Sequence, residues 1–139
     1  MKRGIIGEAK LRVRYAETDR MGVVYHANYI IWYELGRVEL LKLLGFRYRD
    51  LEREHDCHIA VVDVKCRYKT PAYYDDEIMV RTWLKSVRGA VMHFSYEILR
   101  VEDEVMLAEG ESTHFVVNSK FEKTKLPEKY QKAFESAVG

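Results

Sequence analysis

Residues 15–37 read YAETDRMGVVYHANYIIWYELGR. Asp19, Gly22, His26 and Asn28 fall within ten residues, and a run of bulky apolar side chains follows directly. Turn-prone polar residues ahead of an apolar helix place a carboxylate at the edge of a core. The spacing predicts a helix over 27–45 that is apolar nearly all round. At a rotation of about 100° per residue, only Asn28, Glu39 and Lys42 share a polar stripe. Such a helix should be covered on most sides by a sheet. Glu34 and Arg37 lie off that stripe, three residues apart, and are expected to pair with each other. Gly36 between them signals the close approach of another backbone, and Gly45 marks the helix stop.

Upstream, Ala9, Leu11, Val13 and Tyr15 alternate with Lys10, Arg12 and Arg14. That is the two-residue period of a half-buried strand, and its parity turns Tyr15 inward. Downstream, Val62, Val64, Cys66 and Tyr68 alternate with charged residues. Ile78, Val80, Thr82 and Leu84 repeat the pattern, as do Met92, Phe94, Tyr96 and Ile98. A last strand over about 104–118 has Gly110, Ser112 and His114 on one face. Turns at PAYYDD, VRGA and VEDE suit antiparallel neighbours. Pro127 opens a closing helix with Tyr130, Ala133, Phe134 and Ala137 at helical spacing. One apolar helix against a five-stranded antiparallel sheet is an α+β layer, and residues 1–139 read as a single domain.

The totals exclude several classes. With 23 basic and 22 acidic residues the net charge is +1, far from the one-sided field of a nucleic-acid binder. No apolar window is long enough to span a membrane, and the N-terminal MKRGIIGEAK lacks the apolar stretch of an export signal, so a cytoplasmic protein is expected. Two cysteines, Cys57 and Cys66, fit a reducing compartment. The HDCH cluster at 55–58 invites a metal reading, but Cys66 takes opposite strand parity to Cys57, so no metal and no cofactor is expected. GESTH around Ser112 has histidine where a nucleophile elbow needs its second glycine, and neither phosphate-loop nor dinucleotide glycine pattern occurs.

Asp19 reads either as a plain turn residue or as a reacting carboxylate. The helix N-terminus around Tyr25–Asn28 supports the second reading, because its free N–H groups can receive the oxygen of a polarised carbonyl. His26 could act as acid, base or orienting donor. His114 reads as a hydrogen-bonded core residue and His93 as solvent-facing.

The order of elements resembles the hotdog fold. YAETDRMGVVYHANYIIWYE resembles the active-site segment of the 4-hydroxybenzoyl-CoA thioesterase family, and more closely its Tol-Pal-associated acyl-CoA thioesterase branch, through Thr18-Asp19, Gly22 to His26 and Asn28-Tyr29. The resemblance implies hydrolysis of an acyl-CoA thioester, with Asp19 as the essential carboxylate, the backbone amide near His26 polarising the carbonyl, and Tyr15 and His26 assisting. It implies Gly22, Val24, Tyr25 and Asn28 around the substrate, and a homo-oligomer built as a dimer of dimers whose site lies between subunits. Coenzyme A phosphates need cations, for which Arg67, Lys69, Arg88 and Lys120 are candidates. A hotdog protein that binds an acyl-thioester or acyl carrier protein without hydrolysing it is the alternative. A hotdog dehydratase is disfavoured, since Asp19 stands where a histidine would be needed.

Overall fold

The computed structural model describes residues 3–139; Met1 and Lys2, read above only as part of the N-terminal segment, lie outside it. Strand β1 (Ile6–Arg12) leads through a single 3-10 turn at Tyr15–Glu17 to the long helix α1 (Asn28–Leu43). A short helix α2 (Tyr48–His55) precedes β2 (His58–Tyr68), β3 (Glu77–Arg88), β4 (Val91–Arg100) and β5 (Met106–Val117), and α3 (Glu128–Ala137) closes the chain. The strands form one antiparallel sheet in the order β1-β3-β4-β5-β2. This is the expected α+β architecture.

Helix α1 lies across one face of the sheet and meets all five strands. Over β1, a Cβ on Gly7 would stand 2.7 Å from the Leu40 Cα, so only glycine lets the helix backbone come this close. Gly36 faces β3. The close approach is therefore present, but it is to the side chains of Thr82 and Val80 within the same chain rather than to another backbone. Tyr33 stacks on Tyr96 of β4 at 4.0 Å between centroids and 13° between planes. Its hydroxyl lies over Gly110 of β5 and donates to the Cys66 Sγ of β2 at 3.2 Å. The alternating residues Ile78, Val80, Thr82 and Leu84 on β3 and Met92, Phe94, Tyr96 and Ile98 on β4 are all buried beneath the helix layer.

Four expectations are corrected. Glu34 and Arg37 do not pair: Glu34 is exposed, while the buried Arg37 donates to the Tyr96 hydroxyl at 2.9 Å. That hydroxyl is 2.5 Å from Ser112 Oγ, which is 2.6 Å from His114 Nε2. A buried guanidinium needs hydrogen-bond acceptors more than it needs a neighbour on its own helix, and the sheet supplies a hydroxyl chain. Second, α1 is not covered on every side, because Ile31 and Leu35 are 54% and 45% exposed. Third, β2 starts before residue 62 and carries a bulge between Val61 and Asp63, so Val62 is the extra residue and Ile59 and Val61 hold the inward parity upstream of it. Fourth, the apolar spacing predicts no element over 46–61, where α2 forms; Tyr48 and Leu51 turn toward the core, but two apolar residues in eight make too short a repeat to read.

Other expectations agree with the pattern. Gly45 ends the first helix with φ at +93°, and its N–H reaches the Lys42 carbonyl. Tyr130 and Phe134 of α3 pack edge-on to Phe46 at 4.9 and 5.1 Å. His114 is buried with its Nε2 hydrogen-bonded as expected, although its Nδ1 has no partner.

Candidate active site

The segment between the 3-10 turn and α1 folds back on itself as a tight loop. Asp19 N–H donates to the Val23 carbonyl at 2.8 Å and Gly22 N–H to the Asp19 carbonyl at 3.0 Å. Gly22 has φ at +82°, a conformation in which a side chain would be strained, and this turns the chain back. The Asp19 side chain caps the loop locally: Oδ1 accepts the Met21 N–H at 2.8 Å, and Oδ2 accepts from no protein group among the described residues. The carboxylate is thereby held by one oxygen and offered by the other.

Glu17 ties this loop to the helix. Its buried carboxylate accepts the Arg14 N–H at 2.8 Å and the Trp32 indole N–H at 3.1 Å. Its carbonyl accepts the Tyr25 N–H at 2.8 Å and the Asn28 side-chain amide at 2.9 Å. No sequence signal singled out Glu17, since a glutamate beside a turn reads as a solvated charge.

The free amides are narrower in extent than Tyr25–Asn28. Tyr25 N–H is used by Glu17, and the N–H groups of Asn28, Tyr29 and Ile30 close back on the carbonyls three residues before them. Among the described residues, the N–H groups of His26 and Ala27 donate to no protein acceptor. They sit immediately ahead of the helix, where the dipole favours negative charge. The His26 carbonyl is taken by the Tyr68 hydroxyl at 2.9 Å.

Asp19, Val23, Val24 and His26 line one cleft of about 270 Å³ with Tyr29, Tyr68, Lys69, Thr70 and Pro71. Tyr29 and Tyr68 meet edge to face at 5.0 Å and form its aromatic wall. Burial pushes the Tyr68 hydroxyl up to about 12, so it remains a donor at neutral pH. Of the predicted residues, the cleft brings together Asp19, His26, Val24 and Lys69. Tyr29, Tyr68, Thr70 and Pro71 were legible only as strand, helix and turn residues, because nothing in their spacing says which groove they share.

The other predicted positions lie elsewhere. Tyr15 does not face inward: the strand ends at Arg12, the 3-10 turn breaks its parity, and the ring is 78% exposed against Tyr74. Gly22 and Asn28 serve the loop backbone, and the Tyr25 ring stands outside the cleft beside His26 at 4.4 Å. Arg67 points to the outer sheet face and shares Glu109 with Lys69, whose ammonium holds that carboxyl below the usual range together with Arg67. Arg88 lines a separate basin on the outer face with Lys65, Lys85 and His93. Lys120 belongs to an exposed turn whose backbone is capped by Asn118. His93 is half-buried on that outer face, its Nδ1 3.1 Å from Thr113 Oγ1. In the HDCH stretch, Cys57 is buried toward the Lys125 carbonyl while His58 meets Asp56, and among the described residues no group of histidine, cysteine and carboxylate side chains is placed to hold a metal ion.

A long helix laid on a five-stranded antiparallel sheet, with a carboxylate loop at the helix N-terminus, defines the hotdog class of protein. Residues 13–134 match the family model described as the thioesterase-like superfamily, and the chain belongs to that superfamily. It is 38% identical over 129 residues to a Bacillus subtilis protein named "Putative acyl-CoA thioesterase YneP", covering 93% of this chain and 90% of that protein. It is 34% identical to the acyl-CoA thioester hydrolase YbgC of Escherichia coli over 96 residues, 69% of this chain and 71% of that one. Among solved structures, the DHNA-CoA thioesterase of Staphylococcus aureus superposes with a TM-score of 0.88 at 28% identity, over 93% of this chain and 88% of the other. No helix is long and apolar enough to cross a membrane among the described residues.

Proposed function

We propose that this chain hydrolyses acyl-CoA thioesters in the Asp19 cleft. The observation that carries the reading is that a carboxylate with one free oxygen shares a cleft with His26, whose N–H is uncommitted, in a member of the thioesterase-like superfamily. The thioester carbonyl oxygen takes the N–H of His26 at the positive end of α1, where charge develops in the tetrahedral intermediate. Asp19 either takes a proton from a water that attacks the carbonyl carbon, or attacks that carbon itself to form an anhydride that water then opens. In both routes the new carbon–oxygen bond forms first, giving the tetrahedral intermediate, and its collapse breaks the carbon–sulfur bond; coenzyme A leaves as the thiolate, which takes up a proton derived from the attacking water or from solvent. His26 orients the substrate beside Val24, and Lys69 at the cleft mouth meets a phosphate. Tyr15 has no contact with the cleft in this reading. The reading takes the whole chain as one catalytic unit of the Tol-Pal-associated branch, working in the cytoplasm without a cofactor.

Thiol release from a panel of acyl-CoAs tests the activity. Asp19→Asn should lower kcat by about 10²- to 10⁴-fold, the range of a positioned general base, with thermal stability little changed. A variant that kept wild-type turnover would refute the assignment of Asp19. Binding without turnover on every chain length would favour the non-hydrolytic alternative. In single-turnover reactions in ¹⁸O-water, label found in Asp19 would establish the anhydride route and exclude simple base catalysis.

A further inference from the structure

Tyr68 is on β2 and His26 is in the loop before α1, 42 residues apart in sequence. Their one polar contact runs from the Tyr68 hydroxyl to the His26 carbonyl at 2.9 Å, and the same carbonyl also accepts the Tyr29 N–H at a longer 3.3 Å. The Tyr68 ring is fixed against Tyr29 at 5.0 Å with planes at 87°, and it stands 6.3 Å from the His26 ring at 83°. Tyr29 is buried in the core, so the phenol is mounted on a rigid support. His26 itself is exposed and precedes the first full helical turn.

We propose that Tyr68 is a positioning residue for hydrolysis, whose hydroxyl clamps the His26 carbonyl and so fixes the His26–Ala27 peptide plane and with it the uncommitted Ala27 N–H, next to that of His26. The inference rests on the Asp19 reading for its catalytic consequence. An oxyanion donor is effective only if its direction is set before the charge forms. Rotation of the His26–Ala27 peptide plane would swing the Ala27 N–H away from the substrate carbonyl, and the clamp from β2 opposes this. The hydroxyl stays protonated across the neutral range, because burial raises its ionisation to about 12.

Tyr68→Phe keeps the ring and removes the donor. It should lower kcat by about three- to tenfold, the worth of one neutral hydrogen bond, and leave KM nearly unchanged. Amide hydrogen exchange should quicken at the hydrogen-bonded amides of Asn28 and Tyr29 and not in β3 or β4. A ring-fluorinated tyrosine at position 68, almost the same size but ionising at lower pH, should bring a loss of kcat down from the strongly alkaline range, and Tyr68→Phe should show no such limb. A merely structural tyrosine would move neither. Wild-type kcat in Tyr68→Phe, or a fluorinated variant with no displaced limb, would overturn the inference. If wild-type protein released no thiol from any acyl-CoA while exchange at Asn28 and Tyr29 still quickened in Tyr68→Phe, the hydrolytic reading would fail and the clamp would stand. Unchanged exchange at those amides would sink the clamp whatever the activity.

Discussion

His114 is the residue at which chemistry and packing conflict most directly. It is fully buried, its Nε2 meets Ser112, and its Nδ1 meets nothing. Burial, with the nearby charge of Arg37 and then His93, pulls its ionisation from 6.5 down to about 3. The folded state thus keeps His114 neutral while the unfolded chain binds a proton below pH 6.5. Between about pH 6.5 and 3 the unfolded state holds more protons, so the contribution of His114 to stability falls as pH falls through that window and is constant above it. Urea midpoints from pH 7 to 4 should therefore slope downward toward acid, and His114→Gln should flatten part of that slope. An equal slope in the variant would show that other groups carry it. The sequence placed His114 on an inward face with Gly110 and Ser112, and the structure agrees; the orphaned nitrogen depends on what Phe94 and the strands put around the ring, which parity does not specify.

At the scale of elements, α1 is set by small residues that let it sit low on the sheet. Gly110 has the tightest constraint: a Cβ there would meet the Lys65 carbonyl of the neighbouring strand and stand 2.5 Å from the Tyr33 hydroxyl. A side-chain tip can swing aside, but a strand carbonyl in the ladder cannot. Gly110→Ala should destabilise by about 1–3 kcal/mol through overpacking, measured by denaturant unfolding, and it should shift the Tyr33–Tyr96 stack seen in near-ultraviolet dichroism. Unchanged stability would mean that the helix rides higher than described. Glycines in the sequence announced a close approach at Gly36 and a helix stop at Gly45. They did not announce the partner, because a glycine says only that something is near. α2 escaped notice because Tyr48 and Leu51 alone mark its buried side, too short a repeat to tell from a loop.

At the scale of the molecule, β2 is an edge strand with one neighbour, and its side chains are open on both faces: Val61, Val62, Val64 and Tyr68 are 56%, 51%, 38% and 48% exposed. An exposed apolar edge of this kind invites another strand. Ile31 and Leu35 extend the apolar surface onto α1. These features favour a homo-oligomer joined through β2, in which the uncovered side of α1 finds its cover, and a dimer of dimers is the expected end state. Light scattering should give a mass above 16.4 kDa, a multiple of the single chain. Val62→Lys, which puts a charge at the bulge, should shift the protein toward monomer. A wild-type monomer at micromolar concentration would remove the idea. Because Tyr68 lies on the same strand as this edge, loss of assembly should also loosen the clamp on His26.

The amino-acid sequence alone determined the alternation of four strands, the apolar helix, the carboxylate turn and the order in which they occur. Those signals are local, since a period of two or of 3.6 is written in consecutive side chains. Tertiary structure alone decided that Arg37 turns from Glu34 to Tyr96, that Tyr15 leaves the core, and that Lys69 rather than Arg88 or Lys120 borders the cleft. It also decided that Tyr68 reaches back 42 residues to hold His26. Each of these depends on which strands become neighbours and how the bulge at Val62 shifts them, and such long-range registers leave no mark in any short stretch of sequence.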